Sequence, residues 1–261
     1  STVGSSEGSH EVFWYMKNDD HIIPIQYLTI ETAAEIVKRH LTIGVRERLI
    51  GDVPLCVLLS GGIDSGAIAA LAKENRRDIV AYTASFNVKS RDLLRARETA
   101  EMLGIELHEV LIPMPSREDL AMIVDVIEQP SKAQAEIGWA CWHLAKRIRD
   151  DGFKIVLSGE GSDELWASYA FSYHALKRED WYEYRRRLFL RQSDKNFARC
   201  NKIFMRHGIE CRLPFLNTSL VEFAWALPPE CVRTIKHPKA VLVDAMRCML
   251  PDSVLAAPKI A

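Results

Sequence analysis

The chain has 261 residues, 48% of them apolar, and a formal net charge of -1. That length holds one large domain or two small ones. The charge excludes a general electrostatic attraction to nucleic acid or anionic membranes, and no apolar run approaches the roughly 20 residues a membrane span requires. Residues 1–30 lack the basic start and apolar core of a secretory signal and read as a flexible lead, so a cytoplasmic protein is expected. The six cysteines form no CxxC pair and lie mostly within apolar patterns, as small buried thiols do in a reducing compartment.

Taken in chain order, Thr32 and Glu35 fit a capping box, and Val37, Leu41, Val45 and Leu49 recur at helical spacing, which predicts a helix through about Arg48. Gly51 and Asp52 break it. The segment VPLCVLL is short, apolar and continuous, the pattern of a parallel strand covered on both faces. A second strand is expected over Ile79–Phe86, a helix over Arg91–Gly104, a third strand over Ile105–Ile112, two more helical patterns up to Asp151 and Gly152, and a strand over Phe153–Ser158. This alternation specifies an α/β fold with a mainly parallel sheet. Beyond Leu165 the strand signals fade, so a helical subdomain is expected over 166–261 beside an α/β part over 31–165.

Between the first strand and its helix stands SGGIDS, Ser60–Ser65, at the carboxyl edge where open α/β sheets bind ligands. Glycines there let backbone amides approach an anion, and Ser60, Ser65 and the helix amino terminus add donors, which together suit a phosphate. The stretch is neither GxxxxGK[ST] nor GxGxxG, and taken alone it is equally compatible with a purely structural turn.

SGGIDS resembles the pyrophosphate loop of the PP-loop ATP pyrophosphatases, and the chain from Thr32 onward resembles the synthetase domain of the asparagine synthetase family. LSGEGSDE (Leu157–Glu164) resembles that family's second signature. ARCNK (Ala198–Lys202) and GIECRLPFLN (Gly208–Asn217) resemble its helical-region signatures, and Lys259 follows Leu250-Pro251 at the family's spacing.

The resemblance implies an adenine-nucleotide alpha-hydrolase type of sheet and AMP-forming amide synthesis. A carboxylate attacks the α-phosphorus of ATP, giving an acyl-adenylate and pyrophosphate, and ammonia or an amine then displaces AMP. It implies ATP contacts from Ser60, Gly61, Gly62, Asp64, Ser65, Ser158 and Gly159. It further implies Mg2+ at Asp64 and Asp163, Lys259 at the departing pyrophosphate, and Glu160 as the carboxylate that takes a proton from the attacking nitrogen. From its position alone Glu160 is equally a loop residue capping the next helix. The implied partners are a small carboxylic acid and ammonia or an amine. Too few residues precede Ser60 for the family's glutaminase domain, so a separate glutaminase subunit is a possible nitrogen source.

The chain departs from the family pattern where the acyl substrate is expected. QPSKAQAEIG (Gln129–Gly138) lacks the usual threonine and arginine, Ala167-Ser168 replaces a glycine pair, and Asn217 replaces an aspartate. These changes leave the reaction type better specified than aspartate as the acid. Other features call for no site. LKREDWYEYRRRLFLRQ (Leu176–Gln192) is expected to be a solvated amphipathic helix with Trp181, Tyr184 and Leu188 on one stripe. His108, His143, His174 and His207 share no metal-ligand spacing, and Trp139 and Trp142 read as helix packing. Two other functions fit a PP-loop: a nucleic-acid-modifying enzyme, which calls for a basic extension or a catalytic cysteine pair, and a non-catalytic nucleotide-binding subunit.

Overall fold

The computed structural model describes residues 28–169, 181–232 and 238–257. Most of the expected lead therefore lies outside the described residues, as do His174 and Lys259. Among the described residues the centre is a five-stranded, all-parallel sheet in the order β3-β2-β1-β4-β5: β1 (Leu55–Leu58), β2 (Val80–Ser85), β3 (Glu106–Leu111), β4 (Ile155–Leu157) and β5 (Glu210–Arg212). The expected α/β class and the four expected strands are present.

Helices cover both faces. Cys56, Tyr82 and Val156 point into a core with α4 (Arg117–Ile127), α5 (Lys132–Asp150) and α8 (Asn196–Arg206). Their strand neighbours Val57, Ala81 and Leu157 point into the opposite core, formed with α1 (Ile30–Arg48), α2 (Ile63–Asn75), α3 (Arg91–Leu103) and α9 (Thr218–Ala226). Along the inner strands β1, β2 and β4 the period of two thus feeds two cores, which is why these read as largely apolar runs. The shorter helices α6 (Ser162–Trp166), α10 (Pro229–Val232), α11 (Ala240–Ala245) and α12 (Asp252–Leu255) complete the described helices together with α7 (Trp181–Leu190). No helix among the described residues is long and apolar enough to cross a membrane.

Three expectations need correction. The first helix starts at Ile30, not at Thr32. Its N-cap is Thr29, whose Oγ1 accepts from Thr32 N at 3.3 Å, and the earlier start places Ala33 and Ala34 in the helical core. Second, GIECRLPFLN carries a strand: Glu210–Arg212 pairs in parallel with Ile155–Leu157. It is three residues long, two of them charged and ion-paired to each other at 2.8 Å, so it has no apolar signature. Third, α7 does not send all its charges to solvent. Arg185 is fully buried and donates through Nη2 to the carbonyls of Leu165 and Ala224, both at 2.8 Å.

Candidate active site

In the sheet order the chain runs from β1 outward through β2 to β3 on one side and then returns to β4 on the other side of β1. The crevice between β1 and β4 is therefore the topological switch point, the place where ligands enter such sheets. SGGIDS follows β1 and SGEGSDE follows β4, and the two loops touch. A Cβ on Gly159 would lie 2.9 Å from both Asp64 C and Ser65 N, so only a glycine permits the contact. Gly61 is fixed by two constraints: its φ is +82°, and a Cβ there would meet Asp92 O at 2.0 Å.

The first loop is tied by its own hydroxyls. Ser60 N donates to Ser65 Oγ at 3.0 Å, the two Oγ atoms are 2.9 Å apart, and Ser65 Oγ donates to Gly62 O at 3.1 Å. Gly62 caps α2 without a side-chain acceptor, so the first-turn amides of this helix face the crevice with the positive end of its dipole. In the second loop Ser158 Oγ accepts from Glu160 N at 3.2 Å, which turns the chain toward α6.

Asp64 lies in the first turn of α2 and Asp163 in the first turn of α6. Both carboxylates meet at the ammonium of Lys239, 2.5 Å from Asp64 Oδ2 and 2.6 Å from Asp163 Oδ1. Ser162 Oγ donates to Asp64 Oδ1 at 2.6 Å and Ser168 Oγ to Asp163 Oδ1 at 2.5 Å. Lys239 is 3% exposed. Burial pulls its ammonium below the ordinary lysine value, and Asp64 opposes that by favouring the charged form.

Glu160 belongs to a second network. Its Oε2 accepts from Arg199 Nη2 at 3.3 Å. Arg199, buried in α8, also donates to Asn196 Oδ1 at 3.0 Å and to Gln134 Oε1. Asn196 Nδ2 reaches Glu164 Oε1 at 2.8 Å, and Tyr169 OH donates to the same oxygen. Two cavities open on these networks. One of about 300 Å³ is lined by the charged Asp64, Asp92, Arg95, Asp163 and Lys239 and by apolar residues such as Val243 and Leu255, with Ser60. The other, of about 320 Å³, is lined by Leu58, Tyr82, Ala84, Ala140 and Leu144 together with the carboxylates Asp64, Glu160 and Asp163. Ser60, Asp64 and Asp163 line both.

Of the residues singled out from sequence, Ser60, Gly61, Gly62, Asp64, Ser65, Ser158, Gly159, Glu160 and Asp163 lie together at this edge. Lys259 lies outside the described residues. Lys239 was not anticipated: in HPKAVLV it looks like a solvated lysine before an apolar helix, and its partner Asp64 is 175 residues away. Among the sequence departures, Gln134 and Ser168 join the two networks. Asn217 instead caps α9 by accepting from Leu220 N at 3.3 Å and donates to Glu47 at 2.9 Å, a structural role. Trp139 and Trp142 are packing residues as expected: Trp139 Nε1 donates to Pro113 O at 2.8 Å, and Trp142 meets His207 edge-on at 4.3 Å.

The family model for asparagine synthase matches residues 37–199 and 185–261. The chain is 28% identical over 255 residues to a probable asparagine synthetase (glutamine-hydrolyzing) of Acanthamoeba polyphaga mimivirus, a match covering 94% of this chain and 46% of that protein. It is 33% identical over 240 residues to the probable asparagine synthetase (glutamine-hydrolyzing) of Schizosaccharomyces pombe, with 83% and 41% covered. With asparagine synthetase B (glutamine-hydrolyzing) of Escherichia coli K12 the identity is 32% over 228 residues, with 80% and 41% covered. The chain spans less than half the length of these curated relatives.

Proposed function

Since this chain belongs to the asparagine synthase family, we propose that it is an ATP-dependent, AMP-forming amide ligase of the cytoplasm, joining a small carboxylic acid to ammonia or an amine. The observation that carries this is the meeting of the two loops at the β1–β4 crevice, where two cavities share Ser60, Asp64 and Asp163, one adding Arg95 and Lys239 and the other Glu160. The cavity with Arg95 and Lys239 suits the β- and γ-phosphates, held by first-turn amides of α2 and by these two cations. The other, where Leu58, Tyr82, Ala84, Ala140 and Leu144 add apolar surface beside Glu160, suits the nucleoside and the acyl group.

Asp64 and Asp163 fit a magnesium ion, because two hard carboxylate donors already converge on one cationic atom. Among the described residues no group of three or more His, Cys, Asp or Glu is arranged to hold a metal, so phosphate oxygens and water would complete the coordination. When bound, magnesium offsets phosphate charge. Lys239 supplies positive charge to the same carboxylates, and Lys259 is assigned to the departing pyrophosphate.

Ser60, Gly61, Gly62, Ser65, Ser158 and Gly159 hold the phosphates in line for attack by the acid's carboxylate on the α-phosphorus. The attacking nitrogen, from free ammonia, an amine or a separate glutaminase subunit, becomes acidic as it adds to the acyl carbon. Glu160 takes that proton, and Arg199 fixes its carboxylate. Exchange of labelled pyrophosphate into ATP across a panel of carboxylic acids tests the adenylation step before the nitrogen donor is known. Magnesium-dependent exchange with at least one acid, and AMP as the nucleotide product, are expected. Stoichiometric ADP would overturn the reaction class.

A further inference from the structure

Cys200 of α8 and Cys211 of β5 carry free thiols whose Sγ atoms stand 3.0 Å apart. A disulfide bond is about 2.05 Å long, so closure needs an approach of roughly 1 Å. Cys200 is buried, whereas Cys211 is partly exposed, which gives a reagent one point of entry. Their placement is specific. Cys200 directly follows Arg199, the guanidinium that holds Glu160, and Cys211 is in register with Val156, on the strand that runs into the Glu160 loop. The exposed Cys248, by comparison, has no thiol partner among the described residues.

We propose that Cys200 and Cys211 are a reversible dithiol pair, closed to a disulfide by a small disulfide oxidant of the glutathione class. The Cys211 thiolate attacks one sulfur of the oxidant, whose S–S bond breaks and releases one glutathione thiolate. Cys200 then loses its proton and attacks Cys211 Sγ, expelling the second glutathione thiolate. Two protein thiols are oxidised to one disulfide, one glutathione disulfide is reduced to two thiols, and the two protons end on the leaving thiolates. The hydrogen bond with Cys211 and burial hold the Cys200 thiol well above its ordinary value, which slows its ionisation. Fixed proximity compensates, because the second attack is intramolecular and needs no diffusional encounter. The crosslink ties α8, at the residue after Arg199, to β5.

The test uses the whole chain without any substrate, so it stands whether or not the ligase activity is found. The protein is equilibrated in glutathione buffers from fully reduced to fully oxidised, free thiols are trapped with N-ethylmaleimide, and peptides are mapped by mass spectrometry. The expected result is a linked Cys200–Cys211 peptide pair that has lost two hydrogens, accumulates over the oxidised range and disappears with dithiothreitol. In Cys200→Ala, Cys211 should stop at the mixed disulfide with glutathione. Both cysteines still alkylated singly in the fully oxidised buffer, or glutathione found on Cys248 alone, would overturn the proposal.

Discussion

At the scale of single residues, Lys239 decides how the two acidic loops coexist. Asp64 and Asp163 would repel each other at the sheet edge, and the buried ammonium joins them. Lys239→Met should therefore cost about 3 kcal/mol, the low end for breaking a buried ion pair, because the carboxylates keep 23% and 26% exposure. If the same carboxylates accept a divalent ion, millimolar magnesium should raise the melting temperature of the variant more than that of the parent. Equal magnesium responses in both proteins would remove the metal from this pair. Glu160 gives a second prediction. Glu160→Gln keeps the shape but not the basicity, so amide formation should fall by ~100- to 10,000-fold while pyrophosphate exchange persists. Equal loss of both activities would instead mean that the Arg199 contact organises the loop and that Glu160 is not the base.

Among elements, helix α7 shows what a basic run conceals. Of Arg185, Arg186 and Arg187, the first is fully buried and stitches α7 to the carbonyls at the ends of α6 and α9, while Arg187 is half exposed. Burial brings the Arg185 guanidinium down to about 9, still charged at neutral pH. Charge-assisted hydrogen bonds contribute about 1.5–3 kcal/mol each, so Arg185→Ala should destabilise by about 3 kcal/mol or more, and Arg187→Ala by about 0.5 kcal/mol or less. Urea unfolding of both variants measures this, and similar midpoints would refute the stitch. The same contrast explains what the sequence could express. Strands β1, β2 and β4 were legible because parallel strands buried on both faces read as apolar runs, and the edge strand β3 from its place in the strand–helix alternation. The nine loop residues were named through the family resemblance, since their place after β1 and β4 alone is equally compatible with structural turns and caps. Strand β5 was not legible, since an edge strand of three residues with two charges has no pattern of its own. Lys239 and Arg185 were not, because the burial of a cation is set by partners far along the chain.

For the whole molecule, burial of histidines predicts how stability depends on pH. His40, His143 and His207 are each pulled below the ordinary histidine value, in every case chiefly by burial, with Arg39, Lys146 and Arg149 adding repulsion in turn. Asp119 opposes this at His143, and Asp150 at His207. Neither ring nitrogen of His207 has a hydrogen-bond partner, and its ring packs on Trp142 at 4.3 Å, so the site favours a neutral imidazole. Depressed folded values mean that the unfolded chain binds more protons below about pH 6.5. The stabilisation is present above that pH and is lost as pH falls toward the folded values. Each histidine kept neutral contributes a slope of at most about 1.4 kcal/mol per pH unit. This window is separate from the carboxylate one. Glu109, held low by Arg97 at 2.7 Å, loses its contribution only below about pH 4.5. Urea unfolding between pH 7.5 and 5.5 should therefore show stability falling with acid, and His207→Leu should flatten that fall by up to one histidine's share while leaving the pH 7.5 value within about 1.5 kcal/mol. Stability that is constant or rises from pH 7 to 5.5 would show that these imidazoles are not held neutral by the fold.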